Sequence, residues 1–332
     1  MIVATHCVTF FSWSDHTVGL WLMMDLFDNS TLIFMFISGY LFHHTSAKFD
    51  YLRFLKVKFL NVILPYSLAA APGIAYVILR DNTRLQSLPI DRAPDVVKAG
   101  YLLLYGGAQV NYALWFIPVI CIYYLASPLL LQFVRRPVLY FALLLLIPLS
   151  VLMHRPTYNH GHNLGLALYF LSAYVTGMFC SQYQRVVTPY IDRHWVALCA
   201  ATLALMAGHL LGSNHHGNYS VASLLTFDHS SGWIDWLFVQ KTLVTLSLWG
   251  ITRRLRSARM PALDHIAGVS FTIYFLHLYV IYSLAWLMHD TQVEVDFASF
   301  LFVFAIAVLV PSGVAGCVRR FAPKWSRTLV GS

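Results

Sequence analysis

The chain has 332 residues, of which 58% are hydrophobic and only 11% charged, and its mean hydropathy is +0.64. Soluble globular chains carry about 25% charged residues, so too few polar side chains are present to cover a water-facing surface. The net charge of +8 lies in short runs between apolar segments with no continuous basic face, which argues against nucleic acid as a partner. Composition therefore predicts an all-α, polytopic membrane helix bundle, because in hydrocarbon each backbone polar group must be satisfied within its own helix.

About 20 apolar residues span the hydrocarbon core. Segments of this kind fall near 1–14, 30–43, 60–79, 113–133, 137–154, 164–182, 194–212, 233–252, 265–288 and 297–318, which predicts about ten transmembrane helices. The first is short: from Met1 to Ser14 an ideal helix rises roughly 20 Å against a core of about 30 Å. The expectation is a first helix that is truncated or begins inside the membrane. The N-terminus lacks the basic region and small-residue cleavage site of a signal peptide. Cys7, Cys121, Cys180, Cys199 and Cys317 all sit in apolar segments, as small hydrophobes do, so no disulfide and no thiolate metal site is expected.

Basic residues stay cytoplasmic, and here they alternate from one connection to the next. Lys48, Arg53, Lys56, Lys58, Arg135, Arg136, Arg185, Arg193, Arg253, Arg254, Arg256, Arg259, Arg319, Arg320, Lys324 and Arg327 share one side. Arg80, Arg84, Arg92, Lys98 and Arg155 fall on the other, sixteen against five. This places both termini in the cytoplasm, with membrane lipids as the surroundings. The opposite side carries the longer loops, near 80–112 and 212–232, and a load of histidines: His16, His154, His160, His162, His215, His216, His229 and His289. These read either as ordinary polar loop chemistry or as an acceptor- or metal-binding rim. The spacings His160-x-His162 and His215-His216 lack the carboxylate and thiolate partners of a known zinc pattern, so no metal is assigned.

Ionisable residues inside spanning segments are costly and mark candidate sites. His6 lies in the first segment, His209 near the outer end of the seventh, Lys241 inside the eighth and His277 midway along the ninth. Asp235 and Lys241 are six positions apart, which puts them on opposite sides of a helix. Each needs a partner on another helix or water in a cavity. For His6 and His277 the competing reading is a neutral imidazole bonded across helices. For Lys241 it is a side chain that snorkels to the outer interface.

Several segments, in order, resemble the acyltransferase-3 family of membrane O-acyltransferases, in the branch similar to sugar and exopolysaccharide O-acetylases. MIVATHCVTFF (1–11) looks like the end of that family's first helix, and TLIFMFISGYLF (31–42) resembles its second, with the Ser38-Gly39 pair. YLRFLKVKFLNVILPY (51–66) is similar to the basic re-entry segment that closes on Pro-Tyr. ALWFIPVICIYYLASPLL (113–130), LYFLSAYVTGMFCSQY (168–183) and SFTIYFLHLYVI (270–281) resemble three further elements. The resemblance covers nearly the whole chain, which is then one transmembrane domain over 1–332.

The resemblance implies transfer of an acyl group, usually acetyl, from cytoplasmic acetyl-CoA or another acyl-CoA to a hydroxyl of an extracytoplasmic glycan or polysaccharide, in the inner (plasma) membrane. Acyl-CoA is a co-substrate; no cofactor is bound permanently. His6 takes the place of the family's first-helix histidine, and an imidazole can accept the hydroxyl proton and return it to the leaving thiolate. Arg53, Lys56 and Lys58 are candidates for the coenzyme A phosphates, although the positive-inside signal alone also accounts for them. Lys241, His277, Trp115 and Tyr274 are candidates for the cavity and the acceptor. Two departures from the family stand out: the family pairs its first-helix histidine with an arginine eleven positions earlier, a position that here falls before Met1, and Asn61 stands where many members have arginine. They point either to residues missing upstream of Met1 or to a catalytically degenerate relative; ten helices with buried polar residues also suit a glycan or lipid transporter or flippase, although no internal repeat of the transporter kind is visible.

Overall fold

The computed structural model of the chain describes residues 1–10, 18–80, 85, 88–104, 113–156, 163–212, 216–217, 220–221, 232–255, 260–288 and 297–331. The helices are α1 (Ile2–Phe10), α2 (Val18–Phe27), α3 (Thr31–Thr45), α4 (Tyr51–Lys58), α5 (Leu64–Leu79), α6 (Asp95–Leu104), α7 (Phe116–Leu125) and α8 (Ser127–Arg135). They continue as α9 (Leu143–Met153), α10 (Asn163–Gln182), α11 (Gln184–Gly212), α12 (Trp236–Arg254), α13 (Pro261–Gly268), α14 (Ser270–Met288), α15 (Phe297–Phe321) and α16 (Ser326–Val330). Among the described residues, strand pairing is confined to β1 (Arg155–Pro156) and β2 (Ser220–Val221), which run parallel with Arg155 opposite Ser220.

Among the described residues, six stretches are long and apolar enough to cross a membrane: Val18–Lys48, Tyr51–Leu79, Asn163–Gln182, Gln184–Gly212, Ser270–Leu287 and Phe297–Phe321. Helices α7 and α8 meet at 59° and give a seventh if they form one broken span. The chain is thus an all-α membrane bundle. Three predicted segments fall short of this measure. Within 1–14, α1 is described only to Phe10; the 137–153 stretch begins as a 3₁₀ turn; and α12 carries Gln240, Lys241, Arg253 and Arg254. Helix α2 lies between two predicted segments. Its sequence VGLWLMMDLF is apolar except for Asp25, and one carboxylate does not prevent a helix when the fold supplies its partners.

The closest pairing in the bundle is between α3 and α10. A Cβ on Gly39 would lie 1.9 Å from the Tyr174 carbonyl oxygen, and one on Gly177 would lie 2.0 Å from that of Phe36. The two backbones therefore touch directly, the arrangement that small residues permit where van der Waals contact rather than water drives helix association. Around this contact, Tyr123 stacks on Tyr174 at 4.7 Å and donates its hydroxyl to the Ala167 carbonyl, tying α7 to α10. The Ser150 hydroxyl bonds the Ser172 hydroxyl at 2.7 Å and ties α9 to the same helix.

Helices α11 and α12 form an antiparallel pair. At one end Arg253 grips Asp192 with Nε and Nη2 at 2.7 and 2.8 Å, and midway the Thr202 and Ser247 hydroxyls meet at 3.0 Å. On the other flank, Val269 and Ile273 of the α14 region pack with Ala315 of α15 and Val3 of α1. Arg319 donates to the Gly268 carbonyl at 2.6 Å, and the Thr272 hydroxyl donates to Val330 at 2.9 Å. These bonds mark one end of the bundle as the end rich in Arg and Lys.

The α3–α10 contact leaves no room for a methyl group on either partner. Gly39→Ala and Gly177→Ala should each destabilise the folded protein by about 3 kcal/mol, the upper end of ordinary overpacking, because backbone cannot yield as a side chain does. Gly208→Ala, whose Cβ would meet nothing within 4 Å, should be neutral or stabilising. Thermal unfolding in detergent, followed by the monodisperse fraction, separates the two classes; equal melting of Gly39→Ala and Gly208→Ala would contradict the contact.

Candidate functional site

Helix α2 stops inside the protein, and its last carbonyls have no partner within the helix. Donors from three other places supply what is missing. Gln240 Nε2 reaches the Asp25 carbonyl at 2.8 Å, and Lys241 Nζ reaches the carbonyls of Asp25 and Leu26 at 2.6 and 3.0 Å. The Thr5 hydroxyl of α1 donates to the Phe27 carbonyl at 2.7 Å, and Ser30 donates to the same oxygen. Lys241 is fully buried, so its ammonium does not snorkel. It sits at the negative end of the α2 dipole, where a cation is stabilised.

The turn that follows extends the polar network. Asn29 has φ +56°, a left-handed conformation that asparagine tolerates better than most residues. Its Nδ2 donates to the Tyr169 hydroxyl at 2.7 Å, and that hydroxyl donates to Asp235 Oδ2, also at 2.7 Å. Asp235 Oδ1 accepts the Phe238 N–H at 2.9 Å and so caps the N-terminus of α12. As expected from their spacing, Asp235 and Lys241 find separate partners: Tyr169 of α10 for one, the end of α2 for the other.

Asp25 presents its carboxylate to a different set of groups. His209 Nδ1 and His216 Nδ1 lie 2.9 and 3.0 Å from Oδ2, while the Gly217 N–H donates to Oδ1 at 3.0 Å. Arg155, from β1, is also buried, and its guanidinium lies over the Trp115 ring at 5.0 Å. Trp115 in turn stacks on Phe170 of α10, with ring centroids 6.1 Å apart.

The two intramembrane histidines come together. The His6 and His277 rings are 5.3 Å apart between centroids and tilted by 37°. His277 Nδ1 donates to the Ile273 carbonyl at 3.0 Å, so in the neutral ring Nε2 holds a bare lone pair. That Nε2 is buried and has no hydrogen-bond partner among the described residues.

Beside this pair lies a small apolar cleft of about 30 Å³, lined by Ile2, Phe34, Phe116, Ile117, Phe271 and Tyr274. Ile2 and His6 are four residues apart on α1, hence on one face, and the Tyr274 ring is 6.3 Å from that of His277. The cleft thus begins one helical turn from the histidines and lies toward the end of the bundle marked by Gly268 and Arg319.

The predicted donor cluster divides. Arg53 and Lys56 are exposed on α4, whereas Lys58 is half-buried with Nζ 5.4 Å from the Phe54 ring and 5.1 Å from the Tyr124 ring. Asn61 falls in a π-helical turn, Phe59–Ile63, that joins α4 to α5. Tyr274 lines the cleft and donates its hydroxyl to the Ala113 carbonyl; Trp115 supports Arg155. Of the histidine-rich loops, His154 and His216 are described, and His154 Nε2 donates to the Gly232 carbonyl at 2.9 Å. His16, His160, His162, His215, His229 and His289 lie outside the described residues. Sequence reasoning did not single out Asp25, Asn29 or Tyr169. The signal for Asp25 was present, a lone carboxylate inside the apolar run 18–27.

A family model described as an acyltransferase domain matches residues 1–316, nearly the whole chain. Searches of curated proteins and of solved structures find no match.

Lys241 and Gln240 share the Asp25 carbonyl, but Lys241 alone of the two reaches Leu26. Lys241→Met, which keeps the side-chain volume, should therefore cost about 1–3 kcal/mol for the Leu26 carbonyl left without its donor. Thermal unfolding of the purified variant in detergent measures this. Stability equal to that of the parent would refute the capping role.

Proposed function

This chain belongs to the acyltransferase-3 family of membrane acyltransferases, and we propose that it transfers an acyl group, acetyl in the first instance, from cytoplasmic acyl-CoA to a hydroxyl of an extracytoplasmic glycan or glycan precursor. The reading rests on one observation above the others. The His6 and His277 rings meet at 5.3 Å inside the bundle, next to an aromatic cleft that runs toward the Arg- and Lys-rich end.

In this reading acyl-CoA approaches from the basic end, with Arg53 and Lys56 facing its phosphates. The acyl thioester enters the cleft past Phe271 and Tyr274. His6 accepts the proton of the acceptor hydroxyl as the oxygen attacks the thioester carbonyl carbon. The carbon–sulfur bond breaks, an ester forms, and the proton passes from the imidazole to the departing thiolate, which restores the enzyme. His277 orients His6 through ring contact. The acceptor arrives from the opposite side, where β1 delivers Arg155 into the bundle. The proposal includes the ten-crossing topology, an inner-membrane location and cytoplasmic termini, and it makes polysaccharide O-acetylation of the cell envelope the biological output.

General acid–base catalysis contributes about 10²–10⁴-fold. His6→Ala should thus reduce transfer of labelled acetyl from acetyl-CoA to glycan by about 100-fold or more in membranes that hold equal amounts of protein. Transfer that persists unchanged would sink the assignment of His6. A separate expectation concerns the donor: Arg53→Gln with Lys56→Gln should raise KM for acyl-CoA several-fold and leave kcat in place. An unchanged KM would return both residues to a purely topological role.

A further inference from the structure

We propose that Asp25, His209 and His216 form a zinc-binding site at the end of the bundle opposite the Arg- and Lys-rich end, independent of the acyl-transfer reading. One ligand atom from each residue lies within 4.8 Å of the other two. Both imidazole Nδ1 atoms converge on the single oxygen Asp25 Oδ2, at 2.9 and 3.0 Å. Bonds of about 2.0–2.1 Å from Zn²⁺ to nitrogen and oxygen in tetrahedral geometry separate ligand atoms by about 3.3 Å. A small outward shift of the three atoms therefore admits the ion. Two neutral histidines and one carboxylate are also a chemically suited set, since they bind the cation and leave a single compensating charge.

The surroundings are those of a prepared site. Asp25 Oδ1 is held by the Gly217 N–H at 3.0 Å, which orients the carboxylate and leaves Oδ2 to face the histidines. The Asp25 backbone carbonyl is fixed by Gln240 and Lys241. Gly217 has φ +83°, a left-handed conformation that favours glycine, and this turn aims its N–H at Asp25 Oδ1. Trp21 stacks on His216 with centroids 4.7 Å apart. The three ligands come from α2, from the last turn of α11 and from the segment 216–217. The Asp25 side chain is 1% exposed and that of His209 is 12% exposed, so the ligand set is nearly enclosed by the protein. Three protein ligands leave a fourth position for water or for an oxygen of a bound molecule. The site is not a regular sequence pattern: Asp25 and His216 are far apart in the chain, which is why the histidine spacings alone do not reveal it.

The test uses the full chain, purified in detergent with any polyhistidine tag removed. Elemental analysis after equilibration with zinc and desalting should find one zinc per chain. Asp25→Asn keeps the shape and a hydrogen-bond acceptor, yet it should weaken zinc binding by more than the roughly 10–100-fold that outer-shell changes cost. His209→Gln should do the same, and His6→Ala should retain the metal. Cobalt added to the metal-free parent should give the visible d–d bands of a four-coordinate nitrogen and oxygen site, a readout that does not depend on the variants folding. A parent chain that holds no zinc and gives no such bands would overturn the proposal and leave a hydrogen-bonded histidine–carboxylate cluster. Zinc retained equally by Asp25→Asn and His209→Gln would also overturn it.

Discussion

A helix that ends within a membrane bundle leaves carbonyl oxygens that bulk water cannot reach, and each one left bare costs several kcal/mol in hydrocarbon. Helix α2 ends in this way, and the donors that answer it come from α1, from the following turn and from α12. The buried Lys241 ammonium supplies two of those bonds. This one constraint draws three parts of the chain to a single point. Through Asn29 and Tyr169 it also reaches Asp235 and the start of α12. The polar centre is thus a consequence of where a short helix stops, and the bundle closes around it.

The chemistry divides along the bundle axis. His6, His277 and the aromatic cleft occupy the side built from α1, α3, α7 and α14. The carboxylates of Asp25 and Asp235, with their histidine and tyrosine partners, occupy the opposite end. Arg155 enters from β1 and rests its guanidinium on Trp115, which in turn stacks on Phe170 of α10. The proposed reaction, with donor and acceptor on different sides of a membrane, calls for such a division, because its reacting atoms can meet only in the interior.

Much of the architecture was legible in the sequence because hydropathy and charge act locally. All ten predicted segments contain helix among the described residues, although six of them, or seven with the bent α7–α8 pair, are long and apolar enough to cross a membrane; the prominence of His6, Lys241 and His277 followed from the cost of polar groups in lipid. Helix α2 was not legible: ten residues are too few for a span, and a carboxylate in an apolar run is readable only when its partners are known. Those partners, His209 and His216, lie more than 180 positions away. The Gly39–Gly177 contact was hidden for a similar reason. A glycine in a helix announces only an absent side chain, and the helix that fills the space is fixed by the fold as a whole. The pairing of His6 with His277 likewise depends on how α1 meets α14, which no local pattern encodes.

The direct contact of α3 with α10 has a mechanical consequence. Packed helices slide past one another on a layer of side chains that change rotamer as they move. Where two backbones touch, Gly39 against Tyr174 and Gly177 against Phe36, that layer is absent, so α3 and α10 resist sliding against each other. Of the residues that line the cleft, Phe34 stands on this locked pair, whereas Ile2, Phe271 and Tyr274 stand on α1 and α14. The cleft is thus bounded on one side by a helix held backbone to backbone and on the other by helices held through side chains.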